Sequence, residues 1–120
     1  MKLGLVGVGN MGRNHLRVMR ENLDLEQDVL IYDPAHKDSL KYEEFLTKCS
    51  SLDGVSICSP SHTHADISYD ILKENPNIKL LIEKPIDTDP EKVKKLQEFK
   101  DQIMVGHIER FNPAVIALKK

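Results

Sequence analysis

Gly7-Val8-Gly9-Asn10-Met11-Gly12 is a glycine-rich turn that follows a short apolar run at residues 3–6 and precedes a helix-like pattern. Its G-x-G-x-x-G spacing, placed between a strand and a helix, is typical of dinucleotide binding. The first glycine allows a sharp turn, the second a close approach to a pyrophosphate, and the third tight packing of the helix. The helix start offers N–H groups to phosphates. A purely structural turn is the alternative.

An acidic residue follows at the spacing that a ribose-binding group requires. Asp33 ends the second apolar run at residues 29–32 and lies 21 residues after Gly12, close to the separation of about 20 found in Rossmann folds. Its carboxylate can accept hydrogen bonds from both ribose hydroxyls and would repel a 2′-phosphate, which favours NAD over NADP as the cofactor. The alternative is that Asp33-Pro34 forms only a turn.

The bulk composition is that of a globular domain. The chain has 120 residues, a net charge of −2 and 40% hydrophobic residues, which predicts one domain at residues 1–120 and no nucleic acid or membrane partner. Its N-terminal run is too short and too rich in glycine for a signal peptide. Cys49 and Cys58 form no C-x-x-C motif, and Cys58 is predicted to be a buried free thiol. These features favour a cytoplasmic location.

Short β-like runs alternate with helical stretches along the whole chain. This pattern predicts an α/β fold: a Rossmann-like, doubly wound parallel sheet in three αβα layers. Strands are predicted at residues 2–6, 29–32, 55–58, 78–82 and 103–105. Helices are predicted at residues 11–22, 42–49, 63–74, 88–100 and from 114 onwards. Residues 35–41 are too few and too polar for the helix that usually follows the second strand.

Several local predictions depend on residue type and spacing. Thr88, with Glu91 three residues later, is predicted to form a capping box at the start of the fourth helix. His15 and His36 are interpreted as solvated surface groups. Leu16, Met19 and Leu23 are predicted to face the core from one side of the first helix.

Polar residues gather where the predicted strands end, which is where open parallel sheets bind ligands. The segments concerned are residues 7–12, Asp33, residues 59–64, Glu83-Lys84-Pro85 and, as a fifth candidate, residues 106–110. A lysine held directly after a buried strand could have a lowered pKa and exchange a proton with a substrate hydroxyl during hydride transfer. The alternative for Lys84 is an ordinary surface lysine beside a glutamate.

Other polar residues near these ends leave alternatives open. His62 and His64 could be a metal pair, but no further ligand has a metal-site spacing, so we predict no metal and a helix-start cluster that lines the cofactor. His107 is either loop structure or site lining. Arg110 and Asn112 either contact a phosphate or sugar, or cap a helix.

These motifs together resemble the N-terminal domain of the Gfo/Idh/MocA oxidoreductase family, over nearly the whole chain. The residues that carry the resemblance are the glycine turn at 7–12, Asp33-Pro34, Tyr42-Glu43-Glu44-Phe45-Leu46, Ser59-Pro60-Ser61 with His64, and Glu83-Lys84-Pro85. The resemblance implies an NAD(P)-dependent oxidoreductase that acts by hydride transfer on a hydroxyl of a sugar or nucleotide sugar. Lys84 would be the catalytic general acid/base, and Lys84-Pro85 would form a cis peptide.

The resemblance and the motifs define the candidate site. The cofactor-binding candidates are Gly7, Gly9, Asn10, Met11, Gly12, Asp33, Ser59, Pro60, His62, His64, Glu83 and Lys84. The substrate-binding candidates are Lys84, Arg110 and Asn112. Among them the resemblance implies that Glu83, Ser59 and His64 line the nicotinamide side.

The run at residues 106–113 is similar to the subgroup that oxidises the 3-hydroxyl of UDP-N-acetylhexosamines or their uronic acids. Two features depart from the family. The segment after Asp33 is short, which implies a less enclosed adenine side. The resemblance also leads us to expect that the family's C-terminal domain, which supplies most of the substrate pocket and the usual dimer interface, is missing from this chain. A non-catalytic NAD-binding module is therefore the alternative function, and a homo-oligomer is the remaining partner hypothesis.

Overall fold

The computed structural model describes residues 1–22, 25–83 and 87–106 of the chain. The strands in these ranges are β1 (Leu3–Val6), β2 (Leu30–Tyr32), β3 (Gly54–Ile57), β4 (Lys79–Glu83) and β5 (Ile103–Gly106). The α-helices are α1 (Asn10–Asn22), α2 (Tyr42–Lys48), α3 (His64–Glu74) and α4 (Pro90–Lys95). A 3-10 turn at Ser61–Thr63 leads into α3. The predicted loop at residues 107–113 and the helix after it lie outside the described ranges.

All five strands form one parallel sheet in the order β2-β1-β3-β4-β5. The chain moves from β1 to β2 in one direction and then crosses back over β1 to reach β3. The strand order therefore reverses between β1 and β3, and in open α/β sheets ligands bind at the carboxyl ends of the strands at such a switch point. The predicted doubly wound α/β fold is confirmed.

The two faces of the sheet bury separate apolar clusters because side chains alternate along a strand. Leu3 and Leu5 of β1 pack with Leu16 and Met19 of α1 on one face. On the other face Val6 belongs to a larger cluster with residues of α2, α3 and the chain after α4. Its members include Phe45, Val55, Ile57, Ile71, Leu72, Leu80, Ile82 and Leu96. The result is the predicted three-layer arrangement.

The segment between β2 and α2 contains turns and no helix, as predicted. The backbone N–H of His36 donates to the carbonyl of Asp33 at 2.9 Å, and that of Leu40 donates to Ile31 at 2.9 Å. The chain therefore folds back along β2 directly after the strand ends. His36 is half-buried in this turn, where its Nδ1 accepts a hydrogen bond from the backbone N–H of Asp38 at 3.1 Å.

The start and the end of α4 differ from the prediction. Asp89, not Thr88, caps the helix: its carboxylate accepts from the backbone N–H of Glu91 at 3.0 Å. Proline is favoured at the first helical position, so Pro90 fixes the cap one residue later than the capping-box pattern suggested. The regular helix ends at Lys95. The 3-10 stretch that follows is kinked at Phe99, which packs edge-on against Tyr69 of α3.

No helix in the described ranges combines the length and the apolar character that crossing a membrane would require.

Candidate dinucleotide-binding site

The glycine turn (residues 7–12) lies at the switch point, directly against the end of β3. Gly7 has a φ of +87°, a conformation that favours glycine. A Cβ at Gly7 would lie 2.6 Å from the backbone nitrogen of Ser59, so a side chain is also excluded there by contact. The N–H of Gly7 donates to the carbonyl of Tyr32 at 2.9 Å, and that of Cys58 donates to Val6 at 2.7 Å. The corner is therefore fixed to both neighbouring strands.

The other two motif glycines differ sharply in their surroundings. A Cβ at Gly12 would overlap the carbonyl oxygen of Gly7, so glycine is required for α1 to begin against the corner. A Cβ at Gly9 would meet nothing within 4 Å. There is thus open space above Gly9, beside the first N–H groups of α1. An anion in that space would meet unpaired N–H donors and the positive end of the helix dipole.

Asn10 and Met11 form the first turn of α1. The side-chain oxygen of Asn10 accepts from Nη2 of Arg13 at 2.6 Å. Met11 has 37% of its surface exposed, which is high for a large apolar residue. Both residues are exposed and follow Gly9 directly in the chain.

Asp33 lies at the tip of β2 and holds the glycine turn. One carboxylate oxygen accepts from the backbone N–H of Val8 at 2.7 Å, and the other accepts from that of Ala35 at 2.9 Å. These two N–H donors hold the pKa of the Asp33 carboxyl below its ordinary value. Each oxygen keeps further lone pairs. The group is therefore an oriented carboxylate with acceptor capacity left for ribose hydroxyls.

The segment from Ser59 to His64 closes the other side of the corner. The Ser59 hydroxyl lies 2.7 Å from that of Thr63, which donates to the carbonyl of Pro60 at 2.6 Å. His64 Nε2 donates to the carbonyl of Ser59 at 2.6 Å, and the ring is only 2% exposed. His62 is exposed. Pro60 and His62 thus face solvent, whereas His64 supports the loop from below.

His15 is buried, so its interpretation as a surface group was wrong. The ring is 0% exposed and uses both nitrogens: Nδ1 lies 2.6 Å from the Ser56 hydroxyl and Nε2 lies 2.8 Å from Oε1 of Glu83. Cys58 Sγ lies 3.5 Å from Nδ1. We call these four residues the histidine cluster. It joins α1 to the ends of β3 and β4.

Burial decides the protonation of the histidine cluster. Burial lowers the pKa of His15 to about 4, so the ring is neutral at pH 7. The 2.8 Å approach of Nε2 to Oε1 of Glu83 is then a polar contact between a neutral ring and a carboxyl group, and the hydrogen bond of the ring is the one that joins Nδ1 to the Ser56 hydroxyl. Burial also raises the pKa of the Cys58 thiol to about 12, so the thiol stays protonated. Cys58 is half-buried, one residue beyond β3, and both cysteines are free.

The histidine cluster also contains three types of metal ligand. Ligand atoms of His15, Cys58 and Glu83 all lie within 4.8 Å of one another. However, Cys58 approaches Nδ1 of the ring and Glu83 contacts Nε2, and a histidine binds one ion through one nitrogen. An ion would therefore lose one of these partners. We interpret the cluster as a buried group of polar side chains in mutual contact.

The burial of His15 could have been foreseen from helix periodicity. His15 and Met19 are four residues apart, and residues at this spacing share a helix face. Met19 was already placed on the inward face, so His15 belonged there too. Its partners could not have been foreseen, because Ser56 and Glu83 lie 41 and 68 residues further along the chain.

Glu83 is the last residue of β4 and is 7% exposed. Residues 84–86 lie outside the described ranges, as do Arg110 and Asn112. On the far side of this gap, the Asp87 carboxylate accepts from the backbone N–H of Ala65 at 3.1 Å and from that of Asp89 at 2.9 Å. The roles predicted for Lys84, Arg110 and Asn112 stay predictions.

Comparison with known proteins identifies a family pattern. A family model described as an oxidoreductase family, NAD-binding Rossmann fold (GFO_IDH_MocA), matches residues 1–105. Inositol 2-dehydrogenase of Rhizobium meliloti is 30% identical, with 100% of this chain and 40% of the relative covered. UDP-N-acetylglucosamine 3-dehydrogenase of Acidithiobacillus ferrooxidans is 28% identical, with 100% of this chain and 41% of the relative covered. The chain thus spans about 40% of the length of these curated relatives.

A solved structure shows the same fold. Scyllo-inositol dehydrogenase from Lactobacillus casei, with bound NAD(H) and scyllo-inositol, superposes with a TM-score of 0.71 at 21% identity. The superposition covers 92% of this chain and 37% of that one. At this identity the likeness establishes the fold.

Proposed function

The chain belongs to the Gfo/Idh/MocA oxidoreductase family, in its NAD-binding Rossmann domain, and on that premise we propose that it binds NAD at the glycine turn and forms the cofactor half of a dehydrogenase. The observation that carries this proposal is the open space above Gly9. It is bordered by the start of α1 and lies at the switch point between β1 and β3. The pyrophosphate would lie there, against the N–H groups of the helix start.

The preference for NAD over NADP is assigned to Asp33. Its carboxylate is ionised at neutral pH and oriented by Val8 and Ala35. An ionised carboxylate accepts hydrogen bonds from ribose hydroxyls but repels a 2′-phosphate at the same place. The cofactor proposed is therefore NAD.

The other residues predicted to contact the cofactor fall into an exposed group and a buried group. Asn10, Met11, Pro60 and His62 are exposed, and Ser59 is half-buried, so each has surface available for the cofactor. His64 and Glu83 are nearly fully buried. We propose that these two support the Ser59 loop and the end of β4, and that the exposed residues make the direct contacts.

The reaction proposed is oxidation of a sugar hydroxyl. NAD held at the glycine turn would accept the hydride of the carbinol carbon, and the amine of Lys84 would take the hydroxyl proton. The products are a ketone, NADH and the lysine ammonium group. Lys84 follows the buried end of β4, a position suited to a general base near the cofactor. Arg110 and Asn112 would contact the substrate.

The substrate class is a cyclitol, a sugar or a nucleotide sugar. Two relatives are named for inositol and UDP-N-acetylglucosamine. Both of these compounds carry secondary hydroxyls. The run at residues 106–113 favours a UDP-N-acetylhexosamine within this class. Because the chain spans about 40% of these relatives, turnover is proposed for the protein together with a substrate domain. Assembly as a homo-oligomer is proposed with it.

A cytoplasmic location is part of the proposal. Both cysteines are free thiols, as is usual in a reducing compartment.

Calorimetric titration of the purified chain with NAD and NADP tests the proposal. We expect NAD to bind, to raise the melting temperature, and to bind more tightly than NADP. Absence of heat and of any melting shift with either nucleotide would overturn it. A panel of inositols and UDP-sugars with NAD, followed by NADH absorbance, then tests turnover. Turnover that Lys84→Ala abolishes, with NAD affinity retained, would support the lysine as the proton acceptor.

A further inference from the structure

We propose that Ser39 is a positioning residue for the carboxylate of Asp33 and thereby contributes to the choice between NAD and NADP. This inference rests on the proposed function, because it assumes that Asp33 meets the ribose of the nucleotide. Ser39 lies six residues after Asp33, in the turn that follows β2. It would act through the backbone of Asp33 and not by touching the nucleotide.

The first step is the edge position of β2 in the sheet. β2 has β1 on its inner side and is the last strand of the order at that end. The carbonyl of Tyr32 faces inwards, where it accepts from the N–H of Gly7 at 2.9 Å. Neighbouring residues of a strand direct their backbone groups to opposite sides, so Ile31 and Asp33 direct theirs outwards. Those outward groups need partners other than a strand.

The second step is that residues 39 and 40 supply these partners. The N–H of Leu40 donates to the carbonyl of Ile31 at 2.9 Å, as a neighbouring strand would. The N–H of Asp33 donates to the hydroxyl oxygen of Ser39 at 2.8 Å. The same hydroxyl donates to the carbonyl of Leu40 at 2.8 Å. The Ser39 hydroxyl thus takes the place of the backbone carbonyl that a strand partner would offer to Asp33.

The third step is the link from this backbone contact to the carboxylate. Asp33 has a short side chain, so the position of its backbone determines where its carboxylate oxygens can reach. Those oxygens accept from the backbone N–H groups of Val8 at 2.7 Å and Ala35 at 2.9 Å. The contact at the Asp33 nitrogen is made by a half-buried side chain. A single substitution at Ser39 can therefore remove it and leave the backbone donors in place.

A serine in a turn could also serve only to stabilise the turn, and the two roles predict different effects. A purely structural role predicts lower stability and equal weakening of NAD and NADP binding. A positioning role predicts a weaker contact between Val8 and Asp33 even without nucleotide. It also predicts a higher ratio of NADP affinity to NAD affinity, because a less fixed carboxylate accepts poorly from the ribose and repels a 2′-phosphate less.

Three variants separate the hydroxyl from the rest of the side chain. Ser39→Ala removes the hydroxyl, whereas Ser39→Thr retains it and is the rescue variant. Ser50→Ala is the matched control, because it makes the same chemical change in the 3-10 turn after α2. The Ser50 hydroxyl also donates to a backbone carbonyl, that of Thr47 at 2.9 Å, and the residue is exposed.

The first measurement uses the nucleotide-free chain labelled with ¹³C and ¹⁵N. A long-range HNCO experiment detects a hydrogen bond as a cross-peak between the donor nitrogen and the carbon of the acceptor group. We expect the cross-peak between Val8 and the Asp33 carboxyl carbon to fall by about half or more in Ser39→Ala, since such bonds weaken steeply with misalignment. It should be unchanged in Ser39→Thr and Ser50→Ala. The cross-peak between Gly7 and Tyr32 is the internal control and should persist in every variant.

The second measurement is calorimetric titration of the same proteins with NAD and NADP. We expect the ratio of NADP affinity to NAD affinity to rise about threefold or more in Ser39→Ala. In Ser39→Thr and Ser50→Ala the ratio should stay within about 1.5-fold of the wild type. An unchanged ratio in Ser39→Ala would overturn the proposal. So would a Val8 cross-peak that is missing in the wild type, or equally strong in the wild type and Ser39→Ala.

Circular dichroism establishes whether each variant folds. If Ser39→Ala does not fold, Ser39→Val replaces it, since valine has the shape of threonine without the hydroxyl. If Ser39→Thr folds and neither of the other two does, the hydroxyl serves the fold itself and the proposal is overturned. Failure of the wild type to bind NAD would overturn the proposed function. The cross-peak comparison needs no nucleotide, so it tests the link from Ser39 to the Asp33 carboxylate in either case.

Discussion

The carboxylate of Asp33 accepts a 2.7 Å hydrogen bond from the backbone N–H of Val8. This contact joins the tip of β2 to the middle of the glycine turn, 25 residues earlier in the chain. Asp33 therefore shapes the turn before any ligand arrives. It also gives the carboxylate a fixed direction, which a side chain at a loop tip would otherwise lack.

Replacing Asp33 should weaken NAD binding. Asp33→Ala removes the contact to Val8 and the acceptor for the ribose, and a hydrogen bond to a charged group contributes about 1.5–3 kcal/mol. We expect NAD to bind about 10- to 100-fold more weakly, as measured by calorimetry. Asp38→Ala is the control, because Asp38 is an exposed carboxylate in the same turn. Equal losses in the two variants would contradict a specific role for Asp33.

The charge of Asp33 should decide between the two nucleotides. Asp33→Asn keeps an oxygen that can accept from Val8 but removes the negative charge. We expect the ratio of NADP affinity to NAD affinity to rise by about tenfold, since repulsion of the 2′-phosphate is lost. Parallel titrations with NAD and NADP measure the ratio. An unchanged ratio would mean that another group selects the nucleotide.

Gly12→Ala should lower the stability of the protein, whereas Gly9→Ala should lower its affinity for NAD. At Gly12 the new methyl group would overlap the Gly7 carbonyl, which predicts a loss of about 1–3 kcal/mol and a melting temperature lower by about 5 °C or more. At Gly9 nothing lies within 4 Å, so we expect a stable protein that binds NAD at least about tenfold more weakly. Thermal melts and calorimetry on the same samples measure both. A Gly9→Ala protein with full affinity would place the pyrophosphate elsewhere.

His15 should make stability depend on pH below neutrality. Its pKa is 6.5 when solvated and about 4 in the folded protein, so between these values the unfolded chain binds the proton more readily. The free energy of unfolding is therefore highest above pH 6.5. It falls by about 3 kcal/mol as the pH drops to about 4, because the unfolded chain takes up the proton first. Denaturant titrations should show the stability advantage over His15→Gln shrinking in that window. A pH-independent difference would contradict the buried neutral ring.

That pH dependence belongs to the histidine cluster as a whole. Among the described residues, the side chains in contact with the ring include Ser56, Cys58 and Glu83. Burial raises the pKa of Cys58 to about 12, so the thiol does not titrate in this range. Glu83→Gln keeps a side chain of the same length beside Nε2 and removes the acidic partner. Comparing it with the wild type separates protonation of the ring from protonation of the carboxyl group.

Replacing Asp89 should destabilise α4, whereas replacing Thr88 should not. Asp89→Ala removes the carboxylate that accepts from the N–H of Glu91, which predicts a loss of about 1 kcal/mol. Thr88→Ala should stay within about 0.5 kcal/mol of the wild type, as is usual at surface positions. Urea unfolding of both variants measures the difference. A larger loss of stability in Thr88→Ala than in Asp89→Ala would indicate that Thr88 caps the helix.

The fold was predictable because its signals are local. The glycine spacing, the apolar runs and Asp33-Pro34 each specify a turn or a strand within a few residues, and parallel βαβ units permit few other topologies. The glycine turn and Asp33 came together as expected, since consecutive parallel strands end at the same edge of the sheet. The cap at Asp89 was missed although its signal was local: proline at the first helical position outweighs a Thr-x-x-Glu pattern.

The histidine cluster was not predictable in the same way. His15, Ser56 and Glu83 come from three distant segments and meet only once the sheet has formed. Glu83 and His64 are nearly fully buried and contact other parts of the protein, and their contact with the cofactor stays a prediction. The sequence pattern predicted their position near the strand ends but not that their side chains would be buried.

The central claim is that the ADP part of NAD binds over the glycine turn and reaches Asp33. Mapping the backbone amide shifts of the ¹⁵N-labelled chain during NAD titration tests it most directly. We predict the largest changes at Val8, Gly9, Asn10 and Asp33, with small changes along α4. Saturating changes that leave the glycine turn and Asp33 unmoved would contradict the account.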